Sequence, residues 1–192
     1  DLISLVIGTS WDYYEPRKAG GEPVPGSEGV FNPQVGVVVT PSDTTSLHLS
    51  VGKKTRFPHL KELYSTMAGG NPDLKPQQTI AYEIGISHEF NGSWNASAAY
   101  FYNDVSDLID KTGSRALNTV HYENIGEARI QGVEATLNAD LSEQLQAALN
   151  YTYLHTEDVE QQRELENRPR HRANLDLRYH LKSGQLISTQ LS

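Results

Sequence analysis

The 192-residue sequence has no cysteine and only one methionine, and its acidic residues outnumber its basic ones by 24 to 16. The absence of cysteine leaves the redox compartment open, since a chain without disulfides suits an oxidising compartment as well as the cytosol. The formal net charge of −8 argues against a nucleic-acid partner, which would require a basic surface. No run of roughly 18 apolar residues occurs, so a membrane-spanning helix is excluded.

Residue patterns that carry catalytic or metal chemistry are also missing. The seven histidines are scattered without the spacing of metal ligands, so no metal site is predicted. No nucleophile with a nearby base, phosphate-binding glycine loop or acid pair stands out, so neither an enzyme nor a cofactor is expected. The first residues, DLISLVIGTSWDYY, already alternate as a strand and contain no signal segment. We therefore expect the chain to be part of a longer protein.

The sequence does contain a strong alternation of apolar and polar residues with a period of two. In residues 80–90 the even positions hold isoleucine, tyrosine, histidine and phenylalanine, whereas the odd ones hold alanine, glutamate, glycine and serine. No segment keeps a helical period, so the chain is predicted to be all-β. Nine strands are expected, at about 2–14, 31–40, 45–55, 79–90, 94–109, 122–139, 144–156, 172–181 and 185–192.

The connections between these strands are short and long in turn. Turns of a few residues follow every second strand, and the intervening loops are predicted to hold about a dozen residues or more. An up-and-down antiparallel sheet brings all the short turns to one end and all the long loops to the other. Transmembrane β-barrels of bacterial outer membranes have this asymmetry, whereas strands of soluble sandwiches run to only about five or six residues. The pattern predicts an antiparallel meander that forms part of a transmembrane β-barrel.

Aromatic residues form two levels on the apolar faces. Phe90 and Trp94 flank the turn at 91–93, and a second group lies about six to nine residues from its turns. With a rise of about 3.3 Å per residue and a tilt of about 40–45°, the levels are about 15–23 Å apart, near the height of an apolar band between aromatic girdles. The second level comprises Tyr82, Tyr100, Tyr102, Tyr151 and Tyr153.

The polar faces of the strands need water. Burying them in a sandwich core would leave charges unpaired, and exposing the apolar faces to water would leave a large sticky patch. Lipid on one side and a wet lumen on the other satisfies both faces. We expect Tyr82, Ile84, Ile86, Val133, Leu137, Leu149, Leu175 and Leu177 to face lipid, and Glu83, Glu134, Asn150 and Asp176 to face the lumen.

Four stretches occur in the order in which one known family shows its landmarks: LSVGKKTRFPHLKELYS, GNPDLKPQQTIAYEIG, YENIGEARIQGVEATL and NRPRHRANLDLRY. In combination they resemble the barrel of TonB-dependent outer-membrane receptors. One departure is PQQT, where the family more often has an acidic residue after the proline. The N-terminal plug, the energy-coupling box and the C-terminal strand ending in an aromatic residue are not found here. The resemblance implies that residues 1–192 are a partial barrel domain.

The resemblance also implies a function. Such a receptor lies in the outer membrane of a Gram-negative bacterium and imports a scarce nutrient, most often a ferric siderophore, otherwise cobalamin, haem or a sugar. Its partners would be the nutrient chelate, membrane lipid and lipopolysaccharide, its own plug domain, and the TonB complex reached through the missing N-terminal region. Two alternatives stay open: a passive channel or adhesin-like barrel, and a soluble β-rich binding module.

Candidate ligand-binding residues lie in two of the long loops, at the extracellular mouth that the resemblance implies. Their side chains can hydrogen-bond or charge-pair with an anionic chelate. The other interpretation is that these loops are solvated or meet lipopolysaccharide. The candidates are Arg56, His59, Lys61 and Tyr64 in the loop after the third strand, and Lys111, Arg115 and His121 in residues 110–121.

Two glycines in the stretch YENIGEARIQGVEATL suggest a local constraint. Gly126 and Gly132 remove side chains where a strand bends or where another backbone comes close. The sequence leaves open whether the cause is a kink in the barrel or contact with a plug.

Overall fold

The computed structural model describes residues 2–17, 21, 24, 26–67, 69–114, 119–181 and 185–191. Within these residues the chain forms nine β-strands and one short helix. In chain order they are β1 (Ile3–Tyr14), β2 (Glu28–Ser42), β3 (Thr45–Arg56), α1 (Leu60–Tyr64), β4 (Gln77–Asn91), β5 (Trp94–Thr112), β6 (His121–Asp140), β7 (Leu145–Asp158), β8 (His171–His180) and β9 (Leu186–Leu191).

All the strands belong to a single sheet in which each strand pairs with its neighbours in sequence. The order runs from β1 to β9 without a crossover, and every pair is antiparallel. The prediction of an all-β meander is confirmed. No helix among the described residues is long and apolar enough to span a membrane. The sheet is open, with β1 and β9 as its two edges.

Short turns and long loops lie at opposite ends of the sheet, as expected. One predicted loop is shorter than expected, because β5 and β6 remain paired as far as Thr112 and His121. The expected loop at 110–121 is therefore reduced to residues 113–120, and Lys111 and His121 lie in strands. The turns are 43–44, 92–93, 141–144 and 181–185, and the loops are 15–27, 57–76, 113–120 and 159–170.

The strand register assigns every side chain to one of two faces. Directly opposed residues in an antiparallel pair lie on the same face, and alternate residues along a strand share it. Tyr82, for example, is opposite both Val51 and Tyr102. By this rule all eight residues expected to face lipid share one surface, called here the apolar face, and Glu83, Glu134, Asn150 and Asp176 share the other, called here the polar face.

The apolar face has the dimensions of a membrane-facing wall. On β5, Trp94 and Tyr102 lie at its two aromatic levels, and their separation corresponds to about 20 Å across a bilayer at the usual rise and tilt. Tyr102 contacts Tyr82 on the next strand, with 6.2 Å between ring centroids. The row just beyond this level, towards the loops, carries the charged residues Lys53, Asp104, Arg129 and Glu157.

Neighbouring residues on β5 provide a matched test of the two faces. Ala98 lies on the apolar face opposite Ile86, and Ser97 lies on the polar face opposite Ser87. In the full barrel, Ala98→Lys should lower the free energy of unfolding by about 2–4 kcal/mol, because it places a charge against the hydrocarbon near mid-bilayer. Ser97→Lys should cost far less. Denaturant unfolding of the two variants in lipid vesicles measures the difference, and equal losses would contradict the assignment of faces.

Candidate functional site at the loop end of the sheet

Loop 57–76 packs against the extended hairpin of β5 and β6. Leu63 of α1 and Leu74 are buried with Ile109 of β5, and Tyr64 and Tyr122 pack against this cluster. A helix of one turn is marginal by itself, so these apolar contacts hold it in place. The loop is thereby attached to a rigid part of the sheet.

Asn124 connects this loop to the sheet through polar contacts. Its Nδ2 donates to the carbonyl oxygens of Lys75 at 3.1 Å and Asp107 at 2.8 Å, and its Oδ1 accepts from the Lys75 N–H at 2.8 Å. Asp107 has a positive φ of 54°, a left-handed conformation that aspartate tolerates better than most residues. Nearby, Asn71 Nδ2 donates to the carbonyl of Tyr122 at 3.1 Å. Two asparagines thus anchor the end of the loop.

Loop 159–170 packs against the same two strands through a second cluster. Leu165 is buried among Val105, Leu108, Ile125 and Ala128. These contacts attach a second long loop to the β5–β6 hairpin.

Ion pairs shape the same loop. Arg168 pairs with Asp110 at 3.5 Å, and Arg170 donates two hydrogen bonds of 2.7 Å to the carboxylate of Glu164. The hydrogen bonds from Arg170 lower the pKa of Glu164 below its ordinary value, so this carboxyl is ionised at neutral pH. The loop therefore keeps these pairs under physiological conditions.

Asp158 turns the chain back at the start of this loop. Its carboxylate is buried, with Oδ1 accepting from the Gln161 N–H at 3.0 Å and Oδ2 3.6 Å from Nε of Arg163. The Asp158 N–H also donates to the carbonyl of Arg163 at 2.8 Å. Asp158 Oδ2 makes no hydrogen bond within the described residues, so the nearby Arg163 guanidinium only partly offsets the cost of burying this carboxyl group.

A cavity of about 700 Å³ lies between the two loops and the hairpin. Its lining carries charges of both signs together with aromatic and aliphatic surface. The residues that supply this mixture are Glu62, Asp110, Lys111, Tyr122, Arg163 and Leu165. Such a lining can hold a polar molecule that presents both charge and ring surface.

The structure assigns different roles to the predicted ligand-binding residues of loop 57–76. Arg56 is engaged within the protein, donating to both carboxylate oxygens of Glu62 at 3.1 and 2.9 Å. Glu62 also accepts from the backbone N–H of His59 at 2.8 Å, and Tyr64 packs on the apolar cluster. The side chains of His59 and Lys61 are exposed. Arg56 and Tyr64 therefore maintain the shape of the loop, while His59 and Lys61 reach solvent.

The remaining candidates lie on the β5–β6 hairpin. The Lys111 ammonium is 4.9 Å from the ring centroid of Tyr122, a cation–π contact. His121 Nδ1 donates to the Thr119 carbonyl at 2.9 Å, and this bond raises the pKa of the imidazole above its ordinary value. Its Nε2 lies 3.4 Å from Glu123. Arg115 lies outside the described residues.

The polar face has its own concentration of charge. Glu83 and Glu134 stand on β4 and β6, one on each side of Phe101 of β5. Both line a cavity of about 410 Å³, and Nε2 of His48 lies 3.0 Å from the Glu83 carboxylate. The two carboxylates are thus presented together from one surface of the sheet.

The two glycines noted in the sequence make room for side chains of this same chain. A Cβ on Gly132 would meet the Phe101 ring at 2.8 Å and collide with the carbonyl oxygen of Tyr153. A Cβ on Gly126 would collide with the carboxylate of Glu160 in loop 159–170. Close approach of groups from this chain, at one position from the neighbouring strands and at the other from loop 159–170, therefore accounts for both glycines.

Residues 1–189 match the family described as TonB dependent receptor-like, beta-barrel. The chain belongs to this family. It is 29% identical over 146 residues to an iron-regulated outer membrane virulence protein of Vibrio cholerae, covering 66% of this chain and 22% of that relative. Family membership places it in the outer membrane of a Gram-negative bacterium.

Solved structures show the same fold at lower identity. The copper transporter OprC superimposes with a TM-score of 0.75 at 21% identity, over 93% of this chain and 30% of that one. A mutant ferric enterobactin receptor from Pseudomonas aeruginosa, in complex with enterobactin, gives 0.70 at 19% identity, over 95% and 29%. The chain thus spans less than a third of the receptors it matches.

Sequence analysis missed the anchors of the two loops. Neither Asn124, Asn71 nor Leu165 was among the candidates. The asparagine before proline in GNPDL is a turn signal that could have indicated Asn71. In the structure Asn71 forms this turn, since its Oδ1 accepts from the N–H of Asp73 at 3.0 Å. The long-range bonds of Asn124 had no comparable local signal.

Replacing Asn124 should release loop 57–76. In the full receptor, Asn124→Ala removes three hydrogen bonds and leaves the Asp107 and Lys75 groups without this partner, so we expect a cost of about 1–3 kcal/mol. Amide hydrogen exchange in residues 69–76 should accelerate. Asn95→Ala is a control, because within the described residues the Asn95 side chain accepts a hydrogen bond from Asn138 near the turn end, far from loop 57–76. Unchanged exchange in Asn124→Ala would show that the apolar cluster alone holds the loop.

Proposed function

We propose that this chain forms part of the wall and mouth of an energy-coupled outer-membrane receptor that imports a scarce nutrient, a ferric siderophore. Membership of the receptor family carries the proposal. The iron-regulated relative and the receptor solved with enterobactin support an iron chelate as the imported nutrient. The copper transporter has the same fold, so the fold alone does not determine the nutrient. No catalysis is assigned to the chain.

The loop end of the sheet supplies the mouth in this proposal. The two anchored loops border a cavity of about 700 Å³. Lys111 lines this cavity, and Lys61 directly precedes the lining residue Glu62 in the chain, so these two lysines supply positive charge that suits an anionic chelate. Arg56 and Tyr64 support the loop rather than contact the ligand. Relatives are three to four times longer than this chain, so it supplies only part of the binding site.

The polar face supplies the lumen wall. Glu83 and Glu134 project from the polar face, on which the rings of His48 and Phe101 occupy the space above Gly85 and Gly132. Basic side chains of a domain inside the barrel would pair with the two carboxylates. We infer that this surface holds the plug of the receptor, with Asn150 and Asp176 nearer the turn end.

Uptake of nutrients labelled on their own metal, iron for siderophores and haem and cobalt for cobalamin, tests the proposal. A host lacking its own siderophore receptors would express the full receptor and be offered ferric siderophores, cobalamin and haem in turn. We expect ferric siderophore uptake that stops when the proton-motive force is collapsed. The double variant Lys61→Glu with Lys111→Glu should bind the chelate about tenfold more weakly, because two charge-assisted contacts become repulsive.

Arg178→Glu is a control for the reversal of one positive charge, half the change in the double variant, because Arg178 lies on the polar face near the turn end. It should leave affinity for the chelate unchanged. Uptake that persists after the proton-motive force is collapsed would indicate a passive channel. Uptake of haem or cobalamin alone would contradict the siderophore as the nutrient, but it would still agree with the assignment of the protein as a receptor.

A further inference from the structure

The second and third strands part before they reach the loop end of the sheet. The β2–β3 ladder ends at the pair Gln34 and Gly52, next to Pro33, which has no N–H to donate. Beyond this point β2 continues along β1 as far as the pair Tyr14 and Glu28, and β3 continues along β4. A cleft therefore opens between two strands that are adjacent in the sheet.

Side-chain hydrogen bonds bridge the cleft. The buried Asn32 of β2 accepts from Thr55 Oγ1 of β3 at 2.8 Å and donates to Asp12 Oδ2 of β1 at 2.6 Å. These bonds hold the separated strands at a fixed spacing, so the cleft is a built feature of the wall.

On the apolar face the cleft forms a groove of about 660 Å³. Its lining is aliphatic and aromatic, supplied by Ile7, Phe31, Pro33, Val35, Val51 and Ile80. Lys53 also lines it and belongs to the charged row beyond the upper aromatic level. Apolar surface below a cation is the arrangement that a lipid with an anionic head group requires.

Lys53 has no ion pair within the part of the chain that the structure describes. The ion pairs found there lie in the loops, at the ends of strands or on the polar face, and none includes Lys53. Its charge is thus available to a partner at the level where lipid head groups begin. The long loops of outer-membrane barrels are extracellular, so this level lies in the outer leaflet, which is made of lipopolysaccharide.

We propose that this groove binds lipopolysaccharide, with an acyl chain along the apolar lining and a lipid phosphate against Lys53. Charge complementarity at Lys53 and the position of the groove in the outer leaflet support this occupant. The site depends on the orientation of the barrel in the membrane and is independent of the imported nutrient. It is also separate from the mouth, since its lining comes from β1 to β4 on the apolar face.

Native mass spectrometry of the full receptor, purified from outer membranes in mild detergent, tests the proposal by counting bound lipopolysaccharide. Titration with purified lipopolysaccharide then gives the affinity. Lys53→Gln should weaken binding about tenfold, through loss of one charge-assisted phosphate contact. Lys54→Gln is the matched control, because Lys54 is the next residue and lies on the polar face, opposite Thr79.

A second pair of variants tests the apolar part of the groove. Val35→Trp should fill it and displace the lipid, whereas Val37→Trp, two residues further along the same face and outside the lining, should not. Equal affinities for all four variants would overturn the proposal. Detection of receptor dimers instead of bound lipid, with loss of the dimer in Val35→Trp, would also overturn the proposal. That result would identify the groove as a contact between two barrels.

Discussion

Backbone N–H and C=O groups in the hydrocarbon of a membrane have no water to bond, so a strand can cross only when both of its neighbours satisfy it. The rest of this structure depends on that constraint. It requires unbroken antiparallel ladders through the bilayer, and the β4–β5 and β5–β6 pairs run through the whole apolar band. The ladder that stops early, between β2 and β3, does so at Pro33 near the loop end. Register shifts in the β2–β3 and β4–β5 pairs lie at the opposite end, beside the short turns, between Val39 and Ser42 and between Glu89 and Asn91.

The same ladders position the functional surfaces. Because the sheet continues beyond the bilayer as the β5–β6 hairpin, it offers a rigid support on which both long loops pack. Asn124 holds one loop at the left-handed turn of Asp107, and Leu165 anchors the other. Rigid anchoring of loops lowers the ordering cost of binding, since less conformational entropy is lost when a ligand arrives. The mouth residues that remain exposed, such as Lys61, are therefore carried on a prearranged frame.

Alternation made the fold predictable from the sequence. The period of two predicts the strands and their two faces, because lipid and water favour opposite kinds of side chain at neighbouring positions. The alternation of short turns with long loops predicts the meander, and the two aromatic levels predict the apolar band. Glu83 and Tyr82 could be assigned to opposite faces for that reason. The loops follow no such rule. From the sequence alone Arg56 was expected to be available to a ligand, but in the structure it pairs with Glu62. Lys111 and His121 were expected in a loop, but they lie in strands because β5 and β6 remain paired up to these residues. Contacts between distant segments decide these cases.

The central claim is that one face of this sheet meets lipid and the other meets the lumen. The chain has no cysteine of its own, so single cysteines placed along β5 from Trp94 to Asp104 would each carry one spin label once any cysteine elsewhere in the full receptor is replaced by serine. Collisions with oxygen, which concentrates in lipid, then report the exposure of each position. The account predicts a period of two from Trp94 to Tyr102, with even positions accessible to oxygen and odd positions protected. A profile without alternation, or with the odd positions in lipid, would contradict it.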